Sequence, residues 1–312
     1  MQTAPADAHS YGGQAVIEGV MIRGARAIAV AVRRPDGGIE LHLERLGRLY
    51  TGPWRRVPLL RGVLALWESL ALGMRALSWS SAVAAGETDE RGEAQPLGLA
   101  GWGFLALTVA AVLAIFFGGP VLLTAWLDGL LPAGWMVIAL EGLVRVGLLF
   151  GYIWLLGRAS EVQRAFQYHA AEHMTIHAFE HGALTGERAD GSSQLPAVRR
   201  FDRAHPRCGT SLLLTVAVVS VFVFLLLGTP PLWWRLASRL LLIPLVAALA
   251  YEAIRFSASH ATQPLVRWLF AANLALQRLT TRPPDDEQIQ VALVALEGAI
   301  AEDRRAERAA AG

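Results

Sequence analysis

Four of the eight histidines of this 312-residue chain, His169, His173, His177 and His181, recur at four-residue spacing between Tyr168 and Gly182. Residues four apart on an α-helix lie one turn above each other on the same face, so neighbouring imidazoles in this ladder can reach a common metal ion. Glu172 and Glu180 sit in the same turns. The order His-x-x-Glu-His occurs at 169–173 and again at 177–181. That is the helical spacing of inverted zinc motifs, in which two imidazoles hold the ion and a carboxylate handles a proton.

Projected at about 100° per residue, Val162, Phe166, His169, His173, Ile176 and Glu180 fall on one side of this helix, with Arg164, Gln167, Ala171, Met174 and Thr175 broadly opposite. The pattern predicts a buried pair, His169 and His173, with His177 at the margin and His181 on a solvated surface. Two imidazoles on an apolar face need polar partners, and a divalent cation, zinc first, supplies them. A pair of neutral, hydrogen-bonded histidines is the alternative. Glu172, about 60° from His169, can be a ligand, a base or a support for a ligand. Glu180 lies about 10 Å beyond His173 along the axis, so it is expected in a supporting role or at a second ion. A further cluster, His205-Pro-Arg-Cys208, offers one imidazole and one thiolate from a short loop, a pairing that suits zinc. A surface turn with a half-buried thiol is the other reading. Cys208 is the single cysteine, which excludes an intramolecular disulfide framework.

The elements that must position these residues follow from composition. Apolar residues make up 54% of the chain, the mean hydropathy is +0.40, and the apolar residues cluster in runs long enough to cross a bilayer. The chain reads as a mainly α integral membrane protein with about four transmembrane helices, interfacial helices and a small N-terminal β-hairpin region. A formal charge of +2 gives no support to a nucleic-acid partner. Residues 1–13 show no basic segment followed by an apolar one, so no cleavable signal peptide is expected.

Residues 1–56 read as a cytoplasmic β-rich segment. Gln14–Gly24 suits a strand followed by a tight turn, and Ala27–Arg33 and Ile39–Glu44 flank the turn chemistry of Arg34-Pro-Asp-Gly-Gly38. Glu18 is the one acid of the first apolar stretch, either a solvated strand end or part of a polar site. Residues 57–79 form an apolar helix with Arg61, Glu68 and Arg75 on one stripe, expected to be interfacial or re-entrant. A polar loop follows, from Gly86 to Pro96.

Spans are expected near 99–127, interrupted at Gly118-Gly-Pro120, and near 134–157, 211–228 and 236–254. They group as pairs over 99–157 and 211–254. Within the second span, Glu141 and Arg145 have the spacing of an internal ion pair. The turn 128–133 has no arginine, whereas 158–210, the histidine-rich helix and loop, contains seven: Arg158, Arg164, Arg188, Arg199, Arg200, Arg203 and Arg207. The positive-inside rule therefore puts that segment and both termini on the cytoplasmic side. Glu252, at the cytoplasmic end of the last span, pairs with Arg255 or points toward the histidines. Residues 255–312 are expected as cytoplasmic amphipathic helices. Leu265, Trp268, Leu269, Ala272 and Leu276 share one face of the first, and Ile289, Leu293, Leu296 and Ile300 share one face of the last.

Several strings together resemble the YqhQ-like family of bacterial membrane proteins, described as predicted metal-dependent enzymes of undefined function. They are Gly13–Arg23, Phe166–His173 with Thr175-Ile176, His205–Ser211, Tyr251-Glu252 with Ile254-Arg255, and Leu276–Arg282 running into Pro284–Glu287. They follow the family order over nearly the whole chain. The family motif reads Glu-His-Lys where this chain has Glu172-His173-Met174, so any role for that lysine does not carry over. The resemblance also implies that His177 matters less than His169 or His173.

The expectation drawn from residues and resemblance together is a metal-dependent enzyme, hydrolytic in type, in the bacterial cytoplasmic membrane. Zinc or another divalent metal would be held by His169, His173 and one of His205 and Cys208. Glu172 or Glu18 would be the base for water, and Glu180, His177 and Glu252 would be supports or further ligands. The substrate would be in or near the bilayer. The alternative is a membrane assembly or scaffold protein with a structural metal or a histidine–carboxylate network. Ion transport is weaker, because Glu141 and Arg145 are self-neutralising.

Overall fold

The computed structural model describes residues 11–87, 99–127, 129–131, 133–184, 194–205, 208–260 and 262–311. Most of the polar loop 86–96, Asp128 and Pro132 of the arginine-free turn, and Arg188 and Arg207 lie outside them. The N-terminal region is a four-stranded antiparallel meander, β1 (Gly12–Val16), β2 (Gly19–Arg23), β3 (Ala27–Arg33) and β4 (Ile39–Arg45), rather than a lone hairpin. The longer helices, in chain order, are α1 (Leu60–Ala85), α2 (Leu99–Leu113), α3 (Gly119–Ala125), α4 (Gly134–Leu156), α5 (Ser160–Glu180), α6 (Thr210–Leu227), α7 (Leu232–Leu241), α8 (Ile243–Ser259), α9 (Ala271–Leu279) and α10 (Asp286–Ala311).

The sheet is buried on both faces. On one side Val20, Ile22, Ala29 and Ala31 meet Tyr168, Ala171 and Ile176 of α5 and Ile289, Leu293, Leu296 and Ile300 of α10. On the other, Met21, Ile28, Val30 and Val32 meet Leu72, Ala76, Trp79 and Val83 of α1. The alternation of small and large residues in Ala27-Ile-Ala-Val-Ala-Val32 follows from this, because alanines face the two-helix side and branched residues face α1. Helix α5 thereby loses its expected solvent side. Ala171, Met174 and Thr175, opposite the histidines, are buried as well.

Among the described residues, three helical stretches are long and apolar enough to cross a membrane, Gly101–Ala125, Gly134–Leu156 and Thr210–Leu227, or four if α7 and α8, bent by 49°, make one span. The break expected at Gly118-Gly-Pro120 is a π-helical turn, Ala114–Gly118, followed by Pro120 in the first turn of α3. Large apolar side chains on these helices point outward, among them Phe104, Leu122, Leu143 and Leu226, while Glu141, Arg145, Arg235 and Arg239 are buried.

Glu141 does not pair with Arg145. Its carboxylate accepts from Arg235 Nε at 2.7 Å and Arg239 Nη2 at 3.1 Å, both from α7, and all three side chains are fully buried. Arg145 donates instead to Phe116 O and Ser220 Oγ. Sequence spacing sees only the partner on the same helix, whereas Glu141 is met by Arg235 and Arg239 of another helix.

The stripe on α1 is likewise paired off element by element. Arg61 chelates Glu252 of α8, Glu68 takes Arg23 of β2 and Arg55, and Arg75 reaches Glu44 of β4. The expected amphipathic helix after 264 is broken at Phe270, which separates the exposed Leu265, Trp268 and Leu269 from the buried Asn273, Leu276 and Gln277.

These ion pairs differ in burial, and burial sets their weight. Glu141→Ala strands two fully buried guanidiniums and is expected to cost about 3–5 kcal/mol of stability. Glu252→Ala breaks a pair whose side chains are 17% and 24% exposed and should cost about 1 kcal/mol or less. Denaturation of the detergent-solubilised variants measures both, and equal losses would contradict the ranking.

Candidate metal centre

Helix α5 follows α4 after a turn at Gly157–Ala159, and it lies against the short segment that joins α9 to α10. Arg282 N–H donates to Phe166 O, and His169 Nδ1 donates to Thr280 O at 2.9 Å. One turn on, His173 Nδ1 donates to Arg203 O at 2.5 Å. A carbonyl can only accept, so each contact fixes the tautomer and leaves Nε2 with a free lone pair. Both Nε2 atoms face Cys208. The His169 Nε2 to Cys208 Sγ distance is 3.2 Å, and one ligand atom from each of His169, His173 and Cys208 lies within 4.8 Å of the other two. Burial pushes His173 below the usual histidine range, which keeps it neutral.

Cys208 is carried by the loop before α6, and that loop is held by an amide clamp. Gln277 Oε1 accepts from His205 N at 2.8 Å, while its Nε2 donates to His205 O at 2.9 Å and to Ser211 Oγ at 2.7 Å. One turn earlier, Asn273 donates to Thr215 Oγ1. Neither amide is among the expected site residues. The signal for them was present, since Asn273 and Gln277 stand four apart beside Leu276 on the buried face of an amphipathic helix.

Glu172 is fully buried under β1, with Oε2 3.8 Å from His173 Nε2. Burial raises its carboxyl above the ordinary range, against the opposing pull of His169, His205 and the Gly13 amide. Gly13 is required there. A Cβ at that position would stand 2.5 Å from Met21 O and 2.9 Å from the Glu172 carboxylate.

The other expected residues are placed differently. His205 Nε2 lies 3.2 Å from Glu180 Oε2, and its ring packs between His177 and His173, at 4.5 and 5.8 Å between centroids. His177 donates to Asp202 O, and the exposed His181 donates to His177 O. Glu18 is chelated by Arg164 and accepts from Tyr168 Oη at 3.2 Å. Its positive φ of 51° marks the tight β1–β2 turn. Glu252 is the partner of Arg61.

A family described as "Protein of unknown function (DUF1385)" matches residues 57–302. The chain belongs to this family. It is 35% identical over 297 residues to "Uncharacterized protein YqhQ" of Bacillus subtilis (strain 168), covering 91% of this chain and 90% of that protein. No solved structure matches it. The family match takes in the histidine helix, the Cys208 loop and the Gln277 clamp.

The clamp has a direct readout, because Cys208 is the only cysteine and is buried. Gln277→Leu removes hydrogen bonds worth about 1–3 kcal/mol together. Alkylation of Cys208 in chelator-treated protein is then expected to be about tenfold faster. An unchanged alkylation rate would show that the loop is held by something else.

Proposed function

We propose that this chain is a multi-pass protein of the bacterial cytoplasmic membrane, both termini cytoplasmic, and a metal-dependent hydrolase with its site at the cytoplasmic face. The membrane reading rests on helices that bury Glu141, Arg145, Arg235 and Arg239 while exposing large apolar side chains, and on the arginine bias of 158–210.

The observation that carries the enzymatic reading is the convergence of His169 Nε2, His173 Nε2 and Cys208 Sγ. A tetrahedral zinc with bonds of about 2.0–2.3 Å separates its ligand atoms by about 3.5 Å, close to the 3.2 Å between His169 Nε2 and Cys208 Sγ, so the donor set fits in softness and number. Three protein donors leave one position open, the pattern of catalytic rather than closed sites. A bound zinc supplies Lewis acidity that makes water nucleophilic near neutral pH.

This chain's own groups do the rest. Thr280 O and Arg203 O hold the two imidazoles in the ligand tautomer. Glu172 receives a proton from water at its carboxylate, and its raised carboxyl range brings proton transfer closer to neutral pH. Glu180 and His205 face each other at 3.2 Å further along the same helix.

A structural metal or a purely polar pin is the second reading. It is favoured by the depth of His173, Glu172 and Cys208, all nearly inaccessible.

One zinc per chain is expected in purified protein by elemental analysis, lost in His169→Ala, His173→Ala and Cys208→Ser. Absence of stoichiometric metal in the parent would sink the proposal. Glu172→Gln should keep metal and melting temperature within about 2 °C yet lose cellular function. A parallel fall of both would favour the structural reading.

A further inference from the structure

A cavity of about 1450 Å³ opens beside the cluster, and its lining is strongly cationic. Five arginines reach it, Arg23, Arg26, Arg45, Arg55 and Arg255, against one lining carboxylate, Glu180. Arg23 and Arg55 share Glu68, and Arg45 pairs with Glu302. Arg26 and Arg255 are exposed and have no ion-pair partner among the described residues. The Arg26 backbone is nevertheless fixed. Asp303 accepts from the amides of Ala25 and Arg26 at 2.7 and 2.8 Å, and it packs so closely on Gly24 that a Cβ there would be 2.3 Å away.

The location of the cavity is as informative as its charge. One wall is the end of α8, from Tyr251 through Arg255 to Ser259, where a candidate span gives way to the soluble layer. Phe256 on the same turn is exposed, as are Trp268 and Leu269 further on. The opposite wall holds His177, Glu180 and His205, and the His205 ring stands 5.8 Å from that of His173. The volume exceeds that needed by a small anion and suits a headgroup.

We infer that this cavity binds the net anionic phosphate-monoester headgroup of a membrane amphiphile, which is the substrate class presented to the histidine–cysteine cluster. The inference rests on the hydrolase reading for its catalytic meaning, but the binding site does not. Unpaired guanidiniums bind phosphate oxygens through charge-assisted, often bidentate hydrogen bonds. Their position at the end of an apolar helix matches the depth at which lipid phosphates lie. A soluble phosphate offers the same oxygens without the acyl chains, so the test separates the two sources.

Detergent-solubilised full-length protein, stripped of metal with a chelator, is titrated calorimetrically with dihexanoyl phosphatidic acid, dihexanoyl phosphatidylcholine and inorganic phosphate. Saturable binding of the phosphatidic acid is expected, with phosphatidylcholine and phosphate at least about tenfold weaker. Arg26→Ala and Arg255→Ala should each weaken it about tenfold. Both side chains are exposed, so the melting temperatures of these variants should match the parent. Arg158→Ala, whose guanidinium covers Trp154 instead, should bind like the parent.

Equal binding of the two lipids, or parent-like binding by both cavity variants, overturns the inference. Inorganic phosphate binding as tightly as the amphiphile overturns the lipid assignment in favour of a soluble phosphate ligand. Stoichiometric zinc without amphiphile binding overturns this inference and leaves the hydrolase reading standing. Amphiphile binding by a protein that never holds metal supports the cavity site and removes that reading.

Discussion

The arrangement depends on how α5 is seated. Its imidazoles meet Cys208 only because the helix, after the turn that follows α4, lies against the α9–α10 junction, where Thr280 O and Phe166 O close hydrogen bonds across the two segments. Two carbonyl contacts fix the tautomers of His169 and His173, and the tautomers aim both free nitrogens at the thiol. Remove the seat and the same residues are a ladder of histidines along one helix.

That seat is supported from two sides by different forces. Apolar burial against the sheet and α10 holds the back of α5, where Tyr168, Ala171 and Ala178 are inaccessible. Directional hydrogen bonds hold the front, where Gln277 clamps the His205–Ser211 loop and Gly13 lets β1 close over Glu172. Burial sets the distance between layers and tolerates small shifts, whereas amide and carbonyl contacts set the angles a ligand set needs.

The charged groups obey the same division. Where the apolar helices pack, Glu141 gathers Arg235 and Arg239 at full burial, and each acid or base on the α1 stripe finds its partner on another element. Two arginines without an ion pair among the described residues, Arg26 and Arg255, line a large cavity next to the cluster.

The sequence alone determined the helical ladder, the burial of His173 and exposure of His181, the apolar stretches and the pairing of Ala27–Arg33 with Ile39–Glu44, because each is a periodicity within one segment. His169, by contrast, is half-buried like His177, and the β1–β2 turn lies inside a stretch that reads as one strand. His-x-x-Glu-His and His-x-x-Cys are also local spacings, visible without the fold. Only the tertiary structure decided between His205 and Cys208 as neighbour of His169 and His173. Likewise, it alone gave Glu18 to Arg164, Glu252 to Arg61 and Glu141 to α7, and it brought in Gln277 and Thr280. Each of these is a contact between segments far apart in the chain. A helical or strand period reports which way a side chain points, but what it meets is set by the packing of another element whose position no local spacing encodes.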